Sequence, residues 1–191
     1  MTMTAEEHSA RTGRSYKLLL IFAMASMTMM FAGITSAYII GKSRPDWIKD
    51  FELPIAFLYS TITIIACSVS IHFAKVSIKK NNRQNTTLFL LLTLVLGLLF
   101  TYFQRLGFYE LSLKNLYPTG GSITISFLFV IVLAHILHLA GGIISLLITI
   151  YNHFKQKYNS TQFVGIELCA MYWHFLDLIW VLLFLLLYFF K

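Results

Sequence analysis

The side chains in this sequence that could do chemistry are five ionisable residues inside long apolar stretches. His135 and His138 stand three residues apart in one stretch, and Glu167, His174 and Asp177 stand in the next. On a helix, spacings of three, four or seven residues place side chains on one face. Imidazole and carboxylate groups suit zinc or iron, and histidines of membrane helices can also bind haem. The alternative is a buried hydrogen-bonded network.

The network is the interpretation that we favour. An Asp at the centre of a membrane helix costs about 2.5–3.5 kcal/mol, so such groups pair inside the bundle. No Lys or Arg stands in the middle of an apolar stretch to pair with Asp177, so we expect an imidazole of the preceding stretch as its partner. Haem held between helices needs opposed histidines, whereas His135 and His138 belong to one helix. We therefore predict no catalytic, cofactor-binding or metal-binding residue in this chain.

The elements that position these residues are membrane helices. Of the 191 residues, 58% are hydrophobic and 12% are charged, against about 45–50% and 25% in soluble domains. A membrane crossing needs about 20 apolar residues. We predict an all-α integral membrane bundle, with a polar cytoplasmic segment over 1–17 and one domain over 18–191. Its five transmembrane helices cover about 18–40, 53–77, 85–108, 122–151 and 163–190.

The distribution of charge predicts the orientation of the helices in the membrane, and the small residues predict where the helices pack closely. The net charge of +7 fits cytoplasmic loops that collect Lys and Arg better than a nucleic-acid partner. With the N-terminus inside and the C-terminus outside, nine of the 15 basic residues face the cytoplasm. No proline stands within a span, so the helices are expected to be unbroken. Small residues such as Gly33 and Ala37, or Gly141 and Ser145, predict close helix packing.

The last span carries a specific motif. Glu167 precedes a run that includes Tyr172, Trp173, His174, Phe175 and Asp177, and Trp180 follows it. This run closely resembles the final helix of subunit III of the haem-copper cytochrome c oxidases.

Three other spans support the same resemblance. His135, His138 and Gly141 are similar to the HGxHxxxG helix of that family, and Gly97 and Gln104 to its LGxxFxxxQ segment. The first span resembles the ASExMxFxG helix, with Met27 in place of the buried Glu. Many members have seven helices, so five look like a short form that lacks the first two.

The resemblance implies a subunit without redox centres in a proton-translocating oxidase of aerobic respiration. Haem and copper belong to subunits I and II, and this subunit packs on subunit I, binds phospholipid and supports proton uptake and stability. Cytochrome c is then an indirect partner, and membership of a larger respiratory supercomplex is left open. The expected location is the bacterial cytoplasmic (inner) membrane, as a multi-pass protein.

Other functions remain alternatives at this point. Within the family, a third subunit of a quinol oxidase or an accessory protein of nitric-oxide reductase has the same features. A haem-binding membrane cytochrome is a further alternative. A small membrane transporter is more remote, because transporters often have internal repeats and broken helices and five unbroken spans do not divide into two halves.

Overall fold

The computed structural model describes residues 5–48, 52–117 and 123–190, with side chains from Arg11 onward. Each of the five helices in these ranges is long and apolar enough to cross a membrane, and the ranges contain no strand. The predicted all-α fold with five membrane helices is therefore confirmed, while the orientation of the termini stays a prediction. The helices are α1 Ala5–Gly41, α2 Ile55–Lys79, α3 Arg83–Leu113, α4 Ile123–Phe154 and α5 Val164–Phe189.

The helices run beyond several of the expected spans. Helix α1 begins at Ala5, so much of the segment expected as a polar N-terminus continues the first helix. Helix α3 continues to Leu113, about a turn past the expected span. Three parts of the prediction lie outside the described residues: residues 1–4 of the polar N-terminal segment, the start of the fourth span at 122 and the end of the domain at 191.

A tight turn joins α2 and α3 into an antiparallel hairpin. Asn81 has a φ of 56°, a left-handed conformation that Asn adopts more readily than most residues. The side chain of Asn82 then accepts a hydrogen bond of 3.1 Å from the Asn85 amide and caps the start of α3. This turn aligns the two helices along their length, and they form the most extensive helix pair of the described chain.

Helix α5 is the central element of the bundle. It packs against α1, α2 and α4, while α4 also contacts α3 and α1. Within the described ranges, α1 contacts neither α2 nor α3. The motif of the last span therefore lies on a helix that packs against three others, as α4 also does.

Helix α1 is attached to the bundle along a narrow stripe. Nine of its less exposed positions are spaced alternately by four and three residues, the 3.5-residue period of helices packed side by side. At one end Gly13 and Lys17 meet α5, and further along Phe31 and Tyr38 meet α4. The stripe consists of Gly13, Lys17, Leu20, Met24, Met27, Phe31, Ile34, Tyr38 and Gly41.

The small residues of α1 face away from the bundle. Ala32, Gly33, Ser36 and Ala37 are all exposed, and a methyl group added at Gly33 would meet nothing within 4 Å. The close packing expected of small residues occurs instead on α4, where Gly142 is buried against α5.

Candidate functional site

The aromatic residues of the last span fill gaps left by glycines on neighbouring helices. A methyl group added at Gly97 of α3 would lie 2.8 Å from Trp173 Cη2, closer than two carbon atoms can pack. The indole nitrogen of Trp173 donates a hydrogen bond of 3.2 Å to the Gly142 carbonyl of α4. Tyr172 donates one of 3.0 Å to the His138 carbonyl. These contacts join α3, α4 and α5 at one level.

A second aromatic level lies one to two turns further along α5. Trp180 is fully buried, and its indole nitrogen donates a 3.0 Å hydrogen bond to the Thr61 hydroxyl of α2. The His135 ring lies 5.1 Å from the Trp180 ring and 5.7 Å from the Phe100 ring, measured between centroids. The His135 imidazole therefore occupies an aromatic enclosure.

The remaining motif residues also take part in packing. Gln104 of α3 is buried, and its amide nitrogen donates a 2.9 Å hydrogen bond to Ser60 of α2. Phe175 is half-buried against the apolar core. Gly141 leaves room for the Tyr172 hydroxyl, which would lie 3.7 Å from an added methyl group.

The five ionisable residues do not form one hydrogen-bonded network. Both ring nitrogens of His135 and both carboxylate oxygens of Asp177 are buried without a hydrogen-bond partner among the described residues. His138 Nδ1 bonds the Ala134 carbonyl of its own helix at 2.7 Å. The expected bond between Asp177 and an imidazole of α4 is absent among the described residues, because Asp177 faces α2 whereas His135 lies among aromatic rings. Each group occupies its own environment.

His174 has a partner that the sequence did not suggest. Its Nδ1 lies 2.6 Å from the Ser68 hydroxyl of α2, and Ser68 also lies beside the Asp177 carboxyl, although no hydrogen bond of normal geometry joins those two. The His72 ring stands 6.1 Å from the His174 ring. Ser68, Val69, His72, Phe73 and His174 line a shallow groove of about 290 Å³.

Glu167 belongs to an ion cluster at the Lys17 end of the bundle. Its carboxylate lies 2.6 Å from Lys17 Nζ of α1 and 3.5 Å from Lys75 Nζ of α2. All three side chains are partly exposed, so each pair contributes about 0–1 kcal/mol. The sequence signal was available, because each of these charges stands near the same end of its span.

The described residues contain no group of three His, Cys, Asp or Glu side chains arranged to hold a metal ion. Cys67 and Cys169 are free and buried. The absence of redox ligands from the chain stays a prediction. The arrangement holds the helices together, through the Trp173 indole packed against Gly97 and Gly142 and through polar bonds between α2 and its neighbours α3 and α5.

The molecule is a multi-pass membrane protein in which buried aromatic and polar side chains of the last span join the helices. The family model described as "Cytochrome c oxidase subunit III" matches residues 3–191. The chain belongs to this family.

Curated relatives support the assignment. Cytochrome c oxidase subunit 3 of Petromyzon marinus is 30% identical, over 95% of this chain and 72% of that protein. The protein of the same name from Spodoptera frugiperda is 33% identical, over 72% of this chain and 89% of that protein. The Drosophila melanogaster protein is 27% identical, over 89% of this chain and 64% of that protein.

Proposed function

We propose that this chain is a subunit without a redox centre in a proton-translocating cytochrome c oxidase, where it packs on subunit I and lies near subunit II. The observation that carries this proposal is the use of the family motif. Trp173 and Trp180 serve helix packing and hydrogen bonding between helices, and His135 is enclosed by aromatic rings. Such residues maintain a scaffold, so haem, copper and the contact with cytochrome c fall to partner subunits.

Phospholipid binding is part of the proposal. A groove of about 600 Å³ lies between the end of α1 and the start of α4, at the end of the bundle opposite Lys17. Ile40, Phe127 and Val130 give it an apolar lining, and Arg44 stands among its lining residues. An acyl chain fits the apolar part, while the guanidinium attracts an anionic headgroup.

Support of proton uptake is also part of the proposal. Glu167, Lys17 and Lys75 form an exposed ionisable cluster at one end of the bundle. With the N-terminus inside, this end faces the compartment from which protons are taken up. We place the chain in the bacterial cytoplasmic membrane, where the excess of basic residues on inner loops supports that orientation.

The test is purification of the tagged chain from membranes in a mild detergent. We expect co-purification with the haem-bearing and copper-bearing subunits, and removal of the chain should shorten the working life of the oxidase while its haem spectrum stays unchanged. A haem spectrum from the isolated chain would instead establish a membrane cytochrome, and substrate-dependent uptake into vesicles would establish a transporter. A partner set without a copper-binding second subunit would indicate a quinol oxidase.

A further inference from the structure

A furrow runs along α5 between α1 and α2. Helix α5 contacts both of these helices, which do not contact each other in the described ranges. Three leucines of α5, Leu178, Leu182 and Leu185, are exposed, and helical periodicity places them on the same side of α5 as Glu167. At the Lys17 end, the ion cluster of Glu167 with Lys17 and Lys75 joins the three helices. The furrow is thus closed at one end and open to the membrane along its length.

The furrow contains a polar groove at a depth where lipid offers no hydrogen bonds. The groove residues Ser68, His72 and His174 lie among the apolar side chains Val69 and Phe73. His72 stands seven residues before the end of α2 at Lys79, about 10 Å along the helix axis at 1.5 Å per residue. Apart from Tyr59, the large exposed side chains of α2 further along are aliphatic: Ile55, Leu58, Ile62, Ile65 and Val69.

The buried carboxyl behind the groove fixes the chemistry of its occupant. Asp177 is 4% exposed and accepts no hydrogen bond among the described residues. If His174 Nδ1 carries the proton, it donates to Ser68 Oγ. The Ser68 hydroxyl is then free to rotate and donate its own proton to Asp177. In that tautomer Nε2 of His174 is a hydrogen-bond acceptor. The one hydrogen bond of the His174 ring in the described chain uses Nδ1, so Nε2 is open to a donor that enters the groove.

We propose that this furrow is the docking surface for a transmembrane helix of a neighbouring oxidase subunit, which places a hydrogen-bond donor against His174. An acyl chain would leave Nε2 of His174 without a donor, whereas a side-chain hydroxyl, amide or indole supplies one. The inference rests on the proposed function, because it names the face through which the subunit joins the complex.

The first test fills the groove without touching the core. Val69 is 51% exposed in the groove, and Val95 is 60% exposed on α3 at a similar distance along the bundle. In the tagged holocomplex, Val69→Trp should lower the molar ratio of this chain to haem by about tenfold or more, because a larger side chain overpacks a close helix contact. Val95→Trp should leave that ratio unchanged. Equal ratios for the two variants, at equal amounts of chain in the membrane, would overturn the proposal.

The second test identifies the occupant and the hydrogen bond. A photoreactive benzoylphenylalanine at position 69 of the holocomplex should cross-link to a transmembrane peptide of another oxidase subunit. An adduct with lipid alone would refute the docking surface. His174→Gln keeps an acceptor and should retain most of the chain in the complex, whereas His174→Leu should lose it, and equal retention would refute the acceptor role. If the unmodified chain does not co-purify with the oxidase, the proposed function itself fails, which is a different result.

Discussion

The contact between Gly97 and Trp173 allows a quantitative test of the packing between α3 and α5. In Gly97→Ala, the new methyl group would lie 2.8 Å from Trp173 Cη2, whereas favourable carbon contacts occur at about 3.5–4.0 Å. Trp173 is fully buried and bonded to Gly142, so its ring cannot swing aside freely. Overpacking of this kind costs about 1–3 kcal/mol.

A matched control isolates this steric cost. An alanine has a higher helix propensity than glycine by about 1 kcal/mol, and this gain applies equally to Gly33→Ala. Gly33 lies in the middle of α1, and its added methyl group would meet nothing within 4 Å. The difference between the two variants therefore reports the clash alone, and we expect Gly97→Ala to be less stable than Gly33→Ala by about 1–3 kcal/mol.

The assay is pulse proteolysis of the purified complex across an SDS titration, with the band of this chain quantified on a gel. The midpoint for Gly97→Ala should fall below that for Gly33→Ala. Combination with Trp173→Phe, which removes the second ring of the indole, should relieve the clash and make the two losses less than additive. Indistinguishable midpoints for the two alanine variants would refute the close contact between α3 and α5.

Three further predictions concern other parts of the molecule. Thr61→Val leaves the buried Trp180 nitrogen without an acceptor and should cost about 1–3 kcal/mol, whereas Thr63→Val, whose hydroxyl bonds only its own helix, should cost much less in the same proteolysis assay. Lys80→Cys should react with an impermeant thiol reagent only from the cytoplasmic side, and labelling from outside would invert the topology; the native cysteines are buried. Met27→Glu should leave oxygen consumption and proton pumping nearly unchanged, because Met27 is a half-buried packing residue of the α1 stripe. A large gain in pumping would show instead that this position takes part in proton transfer.

The parts of the fold that depend on composition were predictable from the sequence. Five apolar stretches of sufficient length give five helices, because each backbone polar group in a membrane must bond within its own segment. The motif residues Trp173 and Trp180 were also identified from the sequence, since such a combination of aromatic and ionisable residues is unusual in a membrane helix.

The partners of the ionisable residues were not predictable, because they depend on how each helix is rotated about its axis. Periodicity places His174 and Asp177 on one face of α5 but does not say which neighbour that face meets. The structure turns Asp177 and His174 toward Ser68 of α2, so the expected bond from Asp177 to an imidazole of α4 does not form among the described residues. The small residues of α1 illustrate the same limit. Their spacing predicts that they share one face of the helix, but not whether that face meets the bundle or the surroundings.

The stripe that attaches α1 has a consequence for how the protein is made. Of the five helices, α1 leaves the ribosome before the others, and it packs only on α4 and α5. About 80 residues separate the end of α1 from the start of α4, which at about 5–20 residues per second takes about 4–16 s to synthesise. During that interval α1 lies in the bilayer without either of the helices on which it packs, and Lys17 lacks its acidic partner Glu167. Assembly of the five-helix bundle therefore ends when α4 and α5 capture a helix that was synthesised well before them.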